Sequence, residues 1–196
     1  MEKTKKPKPQ LHREEIKAEF WADEIAWTGE KPATGWFRAP RTLPLILTLL
    51  ADKKISGKSD LTGVYLELLA RHRDSGIVEM VSPGEHSYAA GYKGPRAVRT
   101  WQERMKLLEE LGFIKARASG NQQYKYVLLV HPTIAVKGLL DADKVSQSWW
   151  DTYRVRQIEA TEAPYEKLIE HRKPTKVVSI KTAKAKSERK GFGKIA

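Results

Sequence analysis

Apolar residues fall into short periodic groups separated by Gly, Pro and Asp, and their spacing predicts most of the elements. Leu11, Ile16, Phe20 and Trp27 share a face at helical spacing, with Trp21 and Ile25 beside it, so a helix is expected over residues 11–27. The stretch TGEKPATGW (Thr28–Trp36) reads as a loop from its Gly and Pro content. Near Thr42–Lys53 apolar residues run almost all round, the pattern of a buried helix. ISGKSD (Ile55–Asp60) is the next break. Ser59 or Asp60 can cap a helix through about Arg73, with Val64 and Leu68 on one side and Leu61, Tyr65 and Leu69 on the neighbouring one. Ile77–Val81 alternates and predicts a short strand, and Glu85–Ala90 a short helix between Gly/Pro breaks.

The stretch RAVRTWQERMKLLEELGFIKARASGNQQYKYVLLV fills residues 96–130. Pro95 suits the first turn of a helix. Val98, Trp101, Met105, Leu108 and Gly112 then form one stripe at helical spacing. Leu107 and Leu111 lie off its centre, so this helix is expected to touch a second neighbour. Gly112 suits a C-terminal cap. FIKARA predicts a strand, SGNQ a turn, and Gln123–Val130 a returning strand stopped by Pro132. A further helix is expected over Val145–Ala160, carrying Trp149, Trp150, Tyr153 and Ile158, with a short one beyond Pro164 to Glu170.

Composition narrows the class. The chain has 196 residues, 40% of them hydrophobic and six of them Trp, enough for one core plus extensions. The longest apolar run, Leu43–Ala51, falls short of the roughly 18 residues a membrane span needs. MEKTKKPKPQ has no apolar segment behind it, unlike a secretory leader. With no cysteine, disulfides and thiolate metal sites are excluded, which suits a cytoplasmic protein.

Charge changes the picture more. The formal net charge is +12, but residues 1–10 hold +3 and residues 171–196 hold +8, leaving a body of +1. Both Lys-rich ends read as disordered basic arms suited to polyanions. Inside the neutral body, Lys93 to Lys125 holds eight Lys/Arg against three Glu, a local +5. Such clustering marks an electrostatic footprint better than total charge does.

The order from Leu61 onward is helix, strand, short helix, turn, longer helix, β-hairpin. In this order the chain resembles the winged helix-turn-helix superfamily. YLELLARH resembles its first helix and HSYAAGYKG its second helix with the turn. RAVRTWQERMKLLEELGFI resembles its recognition helix, and KARASGNQQYKYVLLV its wing. The resemblance covers roughly 70 residues and extends to bacterial, phage and plasmid regulators and replication proteins of that superfamily. It implies an α+β, mainly helical fold. Residues 1–10 would be a disordered basic arm and 11–58 a helical extension packed on the core. Residues 59–132 would be the winged-helix core, 133–170 a C-terminal helical segment and 171–196 a disordered basic tail.

The residues agree in direction. On an α-helix Arg96, Arg99, Thr100 and Glu103 lie opposite the apolar stripe, with Gln102 and Lys106 on the flank. Cations gather in the first half, the part of a recognition helix that enters the major groove. Arg99 toward guanine and Gln102 toward adenine could each contribute about 1–3 kcal/mol of base discrimination. Lys115, Arg117, Asn121, Gln122, Gln123 and Lys125 would set the wing on the backbone or in the minor groove, and Lys93 would anchor a phosphate. A solvated basic face or a protein-interaction module accounts for the same residues without DNA.

Other signals are weaker. SGKSD resembles the end of a phosphate-binding loop, but the Gly required at position 52 is Asp. The histidines at 12, 72, 86, 131 and 171 show no metal-ligand spacing, and no nucleophile elbow or triad pattern occurs. No enzyme, cofactor or metal is expected. Adjacent Trp149 and Trp150 cannot face the same way on one helix, so one can enter the core while the other, with Tyr153, offers a homodimer surface; packing of both against the domain or the N-terminal helix is the alternative. The expectation is a double-stranded DNA-binding transcriptional regulator of a prokaryote or mobile element. Its alternatives are a plasmid or phage replication or partition factor, an RNA- or ribosome-associated protein, and a protein-interaction module.

Overall fold

The computed structural model describes residues 39–57, 59–72 and 76–170, all within the unit Phe37–Ala196. The helix expected over 11–27, the loop Thr28–Trp36 and both basic arms lie outside the described residues. The elements are α1 (Leu43–Ala51), α2 (Lys53–Ser56), α3 (Thr62–Arg71), β1 (Ile77–Glu79), α4 (Pro83–Ala89), α5 (Ala97–Glu110), β2 (Ile114–Ser119), β3 (Gln122–Leu129), α6 (Pro132–Asp141), α7 (Gln147–Glu159) and α8 (Tyr165–Glu170). The class is α+β and mainly helical, with one antiparallel sheet in the order β1-β3-β2.

Local chemistry explains the boundaries. The helix expected over Thr42–Lys53 breaks at Asp52, whose backbone is extended and whose carboxylate accepts from Lys54 N–H at 2.9 Å. It thereby starts α2, which runs on into the break expected from Ile55. Asp60 accepts from both Thr62 N–H (2.8 Å) and Thr62 Oγ1 (2.6 Å), tying the entry to α3. The short helix α4 begins earlier than its apolar pattern suggests, because Ser82 Oγ accepts from Glu85 N–H and Pro83 occupies the first turn. Pro132 ends β3 as expected, but it also opens α6, a helix the periodicity did not show. His131 Nδ1 accepts from Thr133 N–H at 3.3 Å and caps it.

The core runs between the helices and the inner face of the sheet. Trp101, Met105, Leu108 and Leu111 bring α5 onto it, where Tyr65, Phe113, Val78 and Val127 meet them. Gly112, with φ 79°, turns the chain from α5 into β2, a left-handed conformation that suits glycine. Gly63 lets α3 approach α4 closely, since a Cβ there would lie 2.5 Å from the Ala90 carbonyl oxygen. The sheet alternates until its far end. Ala116 pairs with Val127 and Arg117 with Tyr126, but Ser119 pairs with Gln122. This irregularity inserts extra residues into β3 and brings Tyr124 to the buried side as well as Val127.

A second polar layer joins distant parts of the chain. Glu162 accepts from Thr42 N–H (3.0 Å) and Thr42 Oγ1 (2.8 Å), so a residue after α7 caps the start of α1. Thr133 Oγ1, Tyr153 Oη and Gln157 Nε2 form a buried chain of hydrogen bonds between α6 and α7. Trp150 and Tyr153, candidates for a dimer surface, are therefore core residues of their own chain. Trp149 is half-buried and stacks on Tyr153 with ring centroids 5.5 Å apart. Ile158 and Val155 are the large apolar residues that α7 leaves outward. Among the described residues no helix is long and apolar enough to cross a membrane.

Candidate nucleic-acid interface

Helix α5 is positioned by a stack of side chains beneath it. Arg71 Nε donates to Glu67 Oε1 at 2.5 Å, and the same oxygen lies 2.9 Å from Nδ1 of the fully buried His86. Arg71 also donates to Glu85 at 2.6 Å. The His86 ring stacks on Trp101 of α5 at 6.0 Å, and Trp101 meets the edge of Tyr124 at 5.9 Å. Tyr124 Oη reaches the Gln102 carbonyl at 3.5 Å, and Glu109 accepts from Ala116 N–H at 3.1 Å. The hairpin is thus fastened to α5 from two sides.

The first turn of α5 stands clear of that packing. None of Ala97, Val98, Arg99 and Thr100 is buried, and burial begins at Trp101. Val98, expected in the apolar stripe, is 36% exposed. No side chain caps this helix N-terminus and no acidic residue lies in its first turn. Arg96 sits at the cap position and Arg99 follows, with an 82% exposed side chain. Cations here oppose the helix dipole, at a cost of about 0.3–1 kcal/mol, and an anion brought to this end would relieve it. Arg99 reaches Glu103 at 3.1 Å and Lys106 reaches Glu110 at 3.6 Å. Exposed pairs of this kind contribute at most about 1 kcal/mol, so their cations exchange partners readily.

The hairpin tip folds toward the same helix. Asn121, Gln122 and Gln123 line one cleft with Gln102, closed by Trp101 and Tyr124, with a volume of about 180 Å³. The four amides expected to read bases or backbone therefore converge. Lys93 is exposed in the α4–α5 turn, its Nζ 5.9 Å from the ring of the exposed Tyr88. No sequence pattern marks Tyr88; only its exposure on a short helix otherwise turned inward at His86 and Ser87 reveals it.

Three expected residues lie elsewhere. Lys125 Nζ is 3.0 Å from Glu79 and donates to the Met80 carbonyl, so its 24% exposed side chain ties β3 to β1. Lys115 points to the outer sheet face opposite Leu128, beside Glu110 and away from the amide cleft. Arg117 shares that outer face, opposite Tyr126. Arg104, part of the basic cluster in sequence, turns inward, with its side chain only 20% exposed and its Nε buried. Among the described residues no group of three His, Asp or Glu is arranged to hold a metal ion. The chain matches no family model, no curated protein and no solved structure.

Proposed function

We propose that this chain is a winged-helix protein that binds double-stranded DNA by sequence and acts, without catalysis, as a transcriptional regulator of a prokaryote or mobile element. The observation that carries the reading is the joint presentation of the first turn of α5 and the hairpin tip. The element order from α3 to β3 and the sheet order β1-β3-β2 support the winged-helix assignment. The α5 turn offers Arg96, Arg99 and Thr100 with free helix N–H groups behind them. The tip offers Asn121, Gln122 and Gln123 beside Gln102. Arginines suit guanine edges and phosphates, and amides suit adenine edges or the minor groove. Glu103 holds Arg99 until DNA replaces it, and acting alone it would repel phosphate.

Selection from a random duplex pool, read at two salt concentrations, tests the proposal. Enrichment of a defined motif is the expected result. Steeply salt-dependent binding with no enriched motif would leave only the electrostatics of the basic arms and defeat the sequence-reading assignment.

A further inference from the structure

A second cavity lies away from the amide cleft, at the opposite end of α5. Its volume is about 560 Å³, within the range of small-molecule sites. Helix α6 forms the floor with Ala135, Gly138, Leu139 and Ala142, which recur on one helical face. Three of these four are small, which is what opens the concavity. Leu111 and Leu128 form a wall, and Leu168 of α8 closes one side. Apart from His131 and the charged residues, the lining is aliphatic, with no Phe, Tyr or Trp, so it suits a flexible aliphatic body.

The rim carries the second observation. Lys115 and Lys144 stand on it, and neither has an ion-pair partner among the described residues. Glu110, the acid on the rim, is already paired with Lys106 at 3.6 Å. We infer that this cavity is a binding site for a small aliphatic monocarboxylate, its chain on the α6 floor and its carboxylate between Lys115 and Lys144. The same charge argues against the chain's own segment 171–196, whose net charge is +8, and against a second copy presenting the same rim. This site does not depend on the DNA-binding proposal, and its test needs no DNA.

The test is calorimetric titration of the full chain with decanoate and with decanol, both kept below self-association. Decanoate is expected to bind saturably at one site, and decanol about fivefold or more weakly. A Lys115→Gln, Lys144→Gln double variant is expected to erase that difference. A Cβ added at Gly138 meets no atom within 4 Å, so Gly138→Leu carries its side chain from open space over the floor, and it exchanges glycine for a better helix former. It is expected to abolish binding while its melting temperature stays at or above that of the parent. Absence of saturable decanoate binding by the parent would overturn the inference, as would equal affinity for decanol. Unchanged binding in the folded Gly138→Leu chain would also overturn it. So would binding gained only after Val177, Val178 and Ile180 are replaced by Ser, because the occupant would then be the chain's own segment.

Discussion

At the scale of single residues, neighbours decide what each charged group can do. Arg99 and Lys125 look alike in a sequence reading of the basic cluster. The structure separates them: Arg99 is almost free in solvent, whereas Lys125 is committed to Glu79 and the Met80 carbonyl. Nothing local in the chain marks that difference, because Glu79 lies on another strand. His131 shows the same dependence on context. Packing around its ring lowers its pKa from the ordinary histidine value of 6.5, with Glu162 opposing the shift. The neutral ring also leaves Nδ1 free to accept from Thr133 N–H. Since the folded chain binds this proton less readily than the unfolded one, its stabilising effect is present above the ordinary pKa and is lost as pH falls through the window below it. His131→Asn keeps a capping acceptor without the titration. Chemical denaturation between about pH 7 and pH 5 should therefore show a shallower loss of stability in this variant than in the parent.

At the scale of elements, helix α5 and the hairpin after it are legible because both obey strong periodicities. The stripe Trp101, Met105, Leu108 is buried as its spacing implies, and Gly112 turns the chain where its position suggests. Helix α6 is not legible in the same way. Its buried face is Thr133, Ala135, Val136 and Leu139, mixed in polarity and mostly small, and Gly138 interrupts it. The start of β3 also escapes a period-two reading, because the irregular register buries both Tyr124 and Val127. The approach of α3 to α4 sets the geometry in which α5 is held, and Gly63 permits it. Gly63→Ala should destabilise the protein by about 1–3 kcal/mol in denaturant unfolding, because the added carbon meets a backbone oxygen that cannot easily move. Unchanged stability would show that α3 and α4 separate at little cost.

At the scale of the whole molecule, the described helices outside residues 59–132 are tied into one core. Glu162 caps α1 across 120 residues of sequence, and α7 contributes Trp150 and Tyr153 to the interior. Neither contact could be read from local pattern, since each joins residues far apart in the chain. Glu162→Ala should cost about 1–2 kcal/mol of stability, measured by thermal or denaturant unfolding, because it leaves the α1 N-terminus and the Thr42 hydroxyl without their acceptor. The distribution of charge was legible, by contrast, because it needs only counting: a body of +1 with its cations gathered between Lys93 and Lys125. Folding sharpens that cluster by turning Arg104 and Lys125 inward and leaving Arg96 and Arg99 at the open end of α5. The central claim is that this open end reads DNA together with the amide cleft. It is tested most directly by equilibrium titration of the parent and an Arg96→Ala, Arg99→Ala variant against the selected duplex at fixed salt. The account predicts at least about a tenfold loss of affinity for that duplex with the unfolding transition unchanged. Equal affinity in a folded variant would contradict it.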